Sequence, residues 1–377
     1  MKSAFIYSDR YAMYRYPGIH PFDLRRVDRL YEVLKEHNLL DGPEIRVVEP
    51  SEIPEELLLK AHDPDYIKVL RRVSEGKFHP DMLKHGLGTK DCPIMKGIYS
   101  LHALAAGATF KAVQMVDEDE VSFAFNPMGG FHHAHRAQAS GFCYLNDINI
   151  AMYHVLEKGK RVLYVDLDAH HGDGVQDAFY EDDRVLVISI HESGKYLFPN
   201  TGFETEIGAG PGKGYNINIP LEKGTDDEVY FYAFNEIVPP LFSAFQPDLV
   251  VGVLGADILA NDPVADLRLT NNVMADVAMI LGHISPRLVC LGAGGYNLQN
   301  TARAWALAWA VINGFETQEE DLATLGGVFL GDSGIGIKGL RDMHVYTSGP
   351  EKEQAYRELD RILDYLRENV FPILGVQ

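Results

Sequence analysis

Cysteine is scarce in this chain. Cys92, Cys143 and Cys290 are the three in 377 residues, widely spaced and without a Cys-x-x-Cys pair. That excludes a disulfide framework and a cysteine zinc ribbon, and fits a reducing, cytoplasmic setting. No run of 18 apolar residues occurs, so no membrane-spanning helix is expected. The first eight residues, Met1 to Ser8, lack the apolar core of a secretion signal before Asp9 and Arg10. Internal repeats, low-complexity tracts and long linkers are absent too. So are His-Glu-x-x-His and the phosphate-binding loop patterns, because the glycine-rich stretch 208–214 fits neither of the latter. Basic residues are outnumbered, 34 Lys and Arg against 54 Asp and Glu, for a net charge of −20. Phosphate repels such a surface, so nucleic acid is not an expected partner and neither is a membrane. The charge suits solubility, and also a cationic partner such as a lysine-rich peptide or a polyamine. Self-association into a homo-oligomer stays open.

Hydrophobic residues make up 46% of the chain, enough for a sizeable core. They cluster in short, β-branched runs at 121–125, 161–165, 185–190, 249–254 and 288–291. Nearly continuous apolar runs of this length are expected of strands buried on both faces, as in a parallel sheet. Helical patterns fall between them, at 97–116, 148–158, 226–245, 271–284 and 301–312. Asp63-Pro64 and Ser51 with Pro54 are helix starts. An amphipathic helix over 351–370 closes the chain. The alternation predicts an α/β fold with right-handed crossovers, read as one domain over 1–377.

In open α/β sheets, ligands lie beyond the carboxyl ends of the strands. The residues that follow the five runs are Gly129-Gly130-Phe131-His132-His133, Asp166-Leu167-Asp168-Ala169-His170-His171, His191, Gly255-Ala256-Asp257 and Gly294-Gly295-Tyr296. Alternate residues of an extended segment point the same way, so Asp166, Asp168 and His170 could face one point. Carboxylate oxygen and imidazole nitrogen suit Zn²⁺ or Fe²⁺, and Asp257 can complete a three-ligand site with an open position. Adjacent imidazoles such as His132 and His133 could form an acid/base pair, oriented by Asp166 and Asp173, with no other close carboxylate competing. A phenol at Tyr296, after two glycines, could donate to a developing oxyanion.

These stretches together resemble the histone deacetylases. The tandem-histidine signature matches 129–134 with Ala139-Ser140-Gly141-Phe142-Cys143-Tyr144-Leu145-Asn146-Asp147. The metal signature matches 166–174, and the likeness runs from about Tyr14 to Trp309. The chain's compact length resembles the bacterial acetoin-utilisation deacetylases of that superfamily. The resemblance implies an arginase/deacetylase fold with a central parallel sheet flanked by helices. It implies zinc on Asp168, His170 and Asp257, His132 paired with Asp166, His133 paired with Asp173, and Tyr296 on the oxyanion. It also implies Phe142 and Phe198 flanking an acyl-lysine tunnel, Gly141 accepting from the substrate amide, and Asp91 gripping the substrate backbone. Arg26 would line an internal channel for the released acid. A structural K⁺ near Asp166, Asp168, His170, Ser189 and Ile190 is implied as well.

Two positions depart from the family pattern. Phe131 stands where relatives often carry Leu or Met, and Val264 occupies a rim position that is usually Leu or Met. Val264 is also apolar where polyamine-selective relatives carry an acid. The expected activity is therefore hydrolysis of acyl groups from protein lysines, with acetylpolyamines as the alternative substrates. A two-manganese ureohydrolase would need an Asp-Ala-His-x-Asp spacing, and Asp173 falls one residue too late for it. A non-catalytic acyl-lysine binding module would not need every catalytic position filled, as it is here.

Overall fold

Runs rich in valine, isoleucine and leucine form the centre of the molecule because both of their faces can be covered. The structure, a computed structural model, describes residues 1–315, 339–343 and 347–376. Its strands are β1 (Ser3–Ile6), β2 (Ile45–Val48), β3 (Phe123–Asn126), β4 (Val162–Asp166), β5 (Val185–Glu192), β6 (Asn216–Leu221), β7 (Leu249–Val253) and β8 (Leu288–Leu291). They build one eight-stranded sheet in the order β2-β1-β3-β8-β7-β4-β5-β6. Every pairing is parallel.

The helices are α1 (Arg25–Glu36), α2 (Glu55–Ala61), α3 (Pro64–Ser74), α4 (Ile98–Asp117), α5 (Asp147–Leu156), α6 (Asp173–Phe179), α7 (Asp227–Phe245), α8 (Asn271–Ile284), α9 (Leu298–Ile312), α10 (Pro350–Asn369) and α11 (Phe371–Leu374). Apolar residues of α1, α7, α8, α9 and α10 cover one face of the sheet. Those of α4, α5 and α6 cover the other. A third apolar cluster, with Tyr11, Phe22, Phe131 and Tyr144, lies around the loops that follow β3. The expected starts of α2 and α3 are found, with Pro54 and Asp63 as their N-caps.

Strands β1, β2 and β6 and helices α1 and α6 fall outside the apolar runs and helical patterns read from the sequence. β2 is a four-residue edge strand with no fully buried position. β6 alternates Asn216, Ile217, Asn218 and Ile219, then carries Pro220, which an edge strand tolerates. Its asparagines are buried because their amides donate to Gln176 Oε1 at 2.7 and 2.8 Å. The 208–214 stretch forms a loop with one short turn at Gly210–Gly212.

The order of the sheet sets up the chemistry. β3, β8, β7 and β4 are consecutive neighbours, so the segments that follow them emerge side by side at one edge. Trp309 ties α9 to this sheet. It is fully buried, packs edge-on to Phe5 at 5.6 Å, and donates from Nε1 to Leu39 O at 2.9 Å. We expect Trp309→Ala to cost about 3–5 kcal/mol of stability. The measure is a lower urea midpoint at unchanged slope, and a loss below about 1 kcal/mol would show that α9 docks without it.

Candidate active site

Asp168 and Asp257 follow β4 and β7, which are paired in register up to Asp166 and Val253. Both side chains are buried. Backbone N–H groups clamp them. Asp168 accepts from His170 N at 2.8 Å and Gly294 N at 2.7 Å, and Asp257 accepts from Ala169 N at 3.0 Å. His170 Nδ1 lies 3.1 Å from Asp168 Oδ1 and 2.9 Å from Asp257 Oδ2. One ligand atom from each of the three residues falls within 4.8 Å of the others. Ligand atoms held at about 2.0–2.2 Å in a tetrahedral array sit roughly 3.3–3.6 Å apart, so these residues fit a single Zn²⁺-sized ion with small adjustment. Position 294 must be glycine here, because a Cβ would stand 2.1 Å from Asp257 Oδ2.

Asp166 does not join this group, against the expectation from alternation along the strand. Its Oδ2 accepts from Tyr164 Oη at 2.6 Å and meets His132 Nδ1 at 2.8 Å, while Oδ1 accepts from Asp168 N. His133 Nδ1 meets Asp173 Oδ1 at 2.7 Å. Asp168 also approaches His132, with Oδ1 3.8 Å from Nε2, which corrects the expectation that no other carboxylate competes there. The two Nε2 atoms lie 3.1 Å apart. Burial disfavours charge on His132, but the Asp166 and Asp168 carboxylates outweigh it and push its pKa up to about 9. Burial and then the charge on His132 push His133 down to about 4. At neutral pH the pair is thus a cationic His132 beside a neutral His133.

The loop that carries these histidines is anchored by Asp147 at the start of α5. Its buried carboxylate accepts from Gly130 N at 3.0 Å, Phe131 N at 2.8 Å and Thr109 Oγ1 at 2.5 Å. Asp147 lies inside the tandem-histidine signature, and its residue type and spacing do not mark this role. Asp262 is likewise unmarked in the sequence: its Oδ2 accepts from Tyr296 N and its Oδ1 accepts from Val264 N. Burial, then the charge of Asp257, pushes Asp262 up to about 7.

Aromatic rings wall the approach to the site. Phe198 packs 4.9 Å from His133 and Phe142 packs 5.8 Å from Tyr296. Gly141 lies beside them, and a Cβ there would meet His133 Cδ2 at 2.4 Å and Phe198 at 2.9 Å. The Tyr296 phenol is held far above its usual pKa by burial, then by Asp257 and Asp168, so it remains a proton donor. Asp91 is exposed at the rim, where its carbonyl lies 3.5 Å from His20 Nε2 and the His20 ring packs on Phe142. Val264 is half-buried, and its backbone N–H donates to Asp262 Oδ1 at 3.0 Å. Arg26 is buried behind Tyr296, donating to Gly295 O at 3.1 Å and lying 4.1 Å over the Phe22 ring. Its Nε and Nη2 have no hydrogen-bond partner among the described residues.

A parallel sheet with a buried group able to hold a metal at its carboxyl edge is the arrangement expected of a deacetylase-type hydrolase. A histone deacetylase domain model matches residues 20–312. The chain is 38% identical over 326 residues to the acetoin utilization protein AcuC of Bacillus subtilis, covering 84% of each chain. It is 40% identical over 293 residues to histone deacetylase 8 of Xenopus tropicalis, covering 77% of this chain and 78% of that one. The crystal structure of an HDAC homolog complexed with SAHA superposes with a TM-score of 0.84 at 33% identity, covering 96% of this chain and all of the other. The chain belongs to the histone deacetylase family.

One ion per chain is the expected stoichiometry, from the single three-ligand group among the described residues. Elemental analysis should find about one metal per wild-type chain and almost none in Asp257→Ala. Two metals per wild-type chain would instead fit a binuclear ureohydrolase.

Proposed function

We propose that this chain is a metal-dependent lysine deacetylase that removes acetyl or other acyl groups from protein lysines. The observation that carries the reading is a meeting in one buried site: three metal-ligand atoms beside two imidazoles that each hold a carboxylate at hydrogen-bond distance. Zn²⁺ is the preferred ion for the mixed carboxylate and imidazole set, with Fe²⁺ as the alternative. When bound, the ion acts as a Lewis acid toward the acyl carbonyl and lowers the pKa of a water.

The remaining steps belong to the chain's own groups. Neutral His133 takes a proton from the attacking water at Nε2 and later gives it to the leaving amine. The hydroxyl ends on the acyl carbon, the carbon–nitrogen bond breaks, and the products are a carboxylic acid and lysine. His132, held cationic against Asp166, contributes electrostatically. Tyr296 donates to the oxyanion as it develops. The unpartnered nitrogens of Arg26 offer the released carboxylate a place behind Tyr296.

Phe142 and Phe198 enclose the four-carbon lysine stem, the Gly141 carbonyl accepts from the substrate amide, and Asp91 at the mouth takes two backbone N–H groups. Phe131 alters the foot of the pocket and Val264 widens its rim. We infer a structural monovalent cation, K⁺, near Asp166, Asp168, His170, Ser189 and Ile190. Supporting it, Asp166 and Ser189 are register partners across β4 and β5. The catalytic unit is read as one domain over residues 1–377, some of which lie outside the described ones. A reducing cytoplasm suits three cysteines that are all buried and free. No helix among the described residues is long and apolar enough to cross a membrane.

Tyr296→Phe should keep metal and fold while losing roughly 10²–10³ in kcat, the usual effect of removing one oxyanion donor. Steady-state rates on an acetyl-lysine peptide decide this, and a variant at wild-type kcat would remove Tyr296 from the chemistry.

Substrate class has its own test. The apolar Val264 and the backbone-gripping Asp91 favour peptides over acetylspermidine or acetylputrescine. The net charge of −20 attracts both kinds of substrate and is screened at physiological salt. We expect a higher kcat/KM for acetyl-lysine peptides. A tenfold preference for the polyamines, about 1.4 kcal/mol, would reverse the assignment.

A further inference from the structure

A third histidine touches the acid/base network. Asp173 presents Oδ1 to His133 Nδ1 at 2.7 Å and to Gly174 N at 3.0 Å. Its other oxygen, Oδ2, lies 3.4 Å from His135 Nε2, and His135 Nδ1 lies 2.8 Å from Asp177 Oδ2. A chain of contacts therefore runs His133–Asp173–His135–Asp177, from the buried site to the surface of α6.

The backbone of His135 is pinned. It pairs with Gln138 in a tight turn, and the next carbonyl, that of Arg136, accepts from Asp63 N and faces His62 Nδ1. The imidazole is thus held between two carboxylates by a rigid turn. Hydrogen bonding to Asp173 and then to Asp177 pushes its pKa up to about 10 against the opposing effect of burial, so it is a cation at neutral pH. The other titratable or cationic side chains nearby, Lys84, His85 and Arg136, line a surface cavity of about 540 Å³ that His135 and Asp177 also border.

The terminal torsion of an aspartate is broad, so a carboxylate held by one oxygen can swing. His133 needs Asp173 still, because that carboxylate fixes which imidazole nitrogen carries the proton. Asp173 is also one more buried negative charge beside Asp166, Asp168 and Asp257, and such a charge is costly without a partner.

We propose that His135 is a positioning residue for the deacetylase reaction: wedged between Asp173 and Asp177, it locks the carboxylate that orients His133. It touches neither substrate nor metal ligands. The proposal rests on the deacetylase reading, and wild-type turnover of an acetyl-lysine peptide tests that reading first.

Given wild-type turnover, His135→Ala, His135→Gln and His135→Lys are compared for kcat, KM, metal content and thermal midpoint. Ala and Gln should lower kcat about tenfold while KM stays within about twofold, as for a group that acts on the chemical step. Metal content should stay full. Lys restores a cation and should recover kcat to within about threefold of wild type. Wild-type kcat in His135→Ala would overturn the proposal, as would equal rates for Gln and Lys, or a kcat loss that merely follows lost metal or fold. Should His135→Ala fail to fold, the exposed Asp177→Asn releases the outer side of His135. It should lower kcat about two- to fivefold with KM unchanged, and an unaltered kcat would overturn the proposal by that route.

Discussion

Two buried carboxylates, Asp168 and Asp257, face one imidazole, and the rest of the molecule is arranged to make that tolerable. Charges so deep need partners, and here Asp168 accepts from two backbone N–H groups and Asp257 from one before any ion is considered. Those donors come from segments that follow different strands. Gly294 can approach only because β8 lies beside β7, and Ala169 only because β4 lies on β7's other side. The eight-stranded parallel sheet is therefore what lets like charges sit within reach of one metal ion.

The same edge explains the division of labour between the tandem histidines. Neighbours in sequence, they differ in electrostatic surroundings. His132 lies between Asp166 and Asp168 and keeps its proton, whereas His133 faces a cationic neighbour and loses its own. Their Nε2 atoms are close enough that the two rings cannot both be charged without strong repulsion. An acid/base pair with unlike proton affinities follows from position alone.

Much of this was legible in the sequence, for physical reasons. The five central strands announce themselves because burial on both faces demands uninterrupted apolar residues, and the chemistry sits just past each one because a parallel sheet opens there. What escaped was whatever depends on long-range partners. β6 looks like a polar loop until Gln176 is seen to satisfy its asparagines. Alternation along the strand suggests that Asp166 faces the same point as Asp168 and His170, but Tyr164 and His132 hold it apart from them. Asp147 and Asp262 accept mostly from backbone N–H groups, and such acceptors leave no mark in side-chain spacing. The signal available for Asp147 was its place at the head of a helix directly after the tandem-histidine stretch.

Asp262 has one oxygen on the backbone of Tyr296 and the other on the backbone of Val264. The lip of the pocket and the phenol at its base are thus fastened to the same carboxylate. Selectivity and turnover are not separate dials in this enzyme. A rim loop rebuilt to admit a bulkier acyl chain would pull on the backbone of the tyrosine proposed to hold the oxyanion, so a change of diet would come with a change of pace.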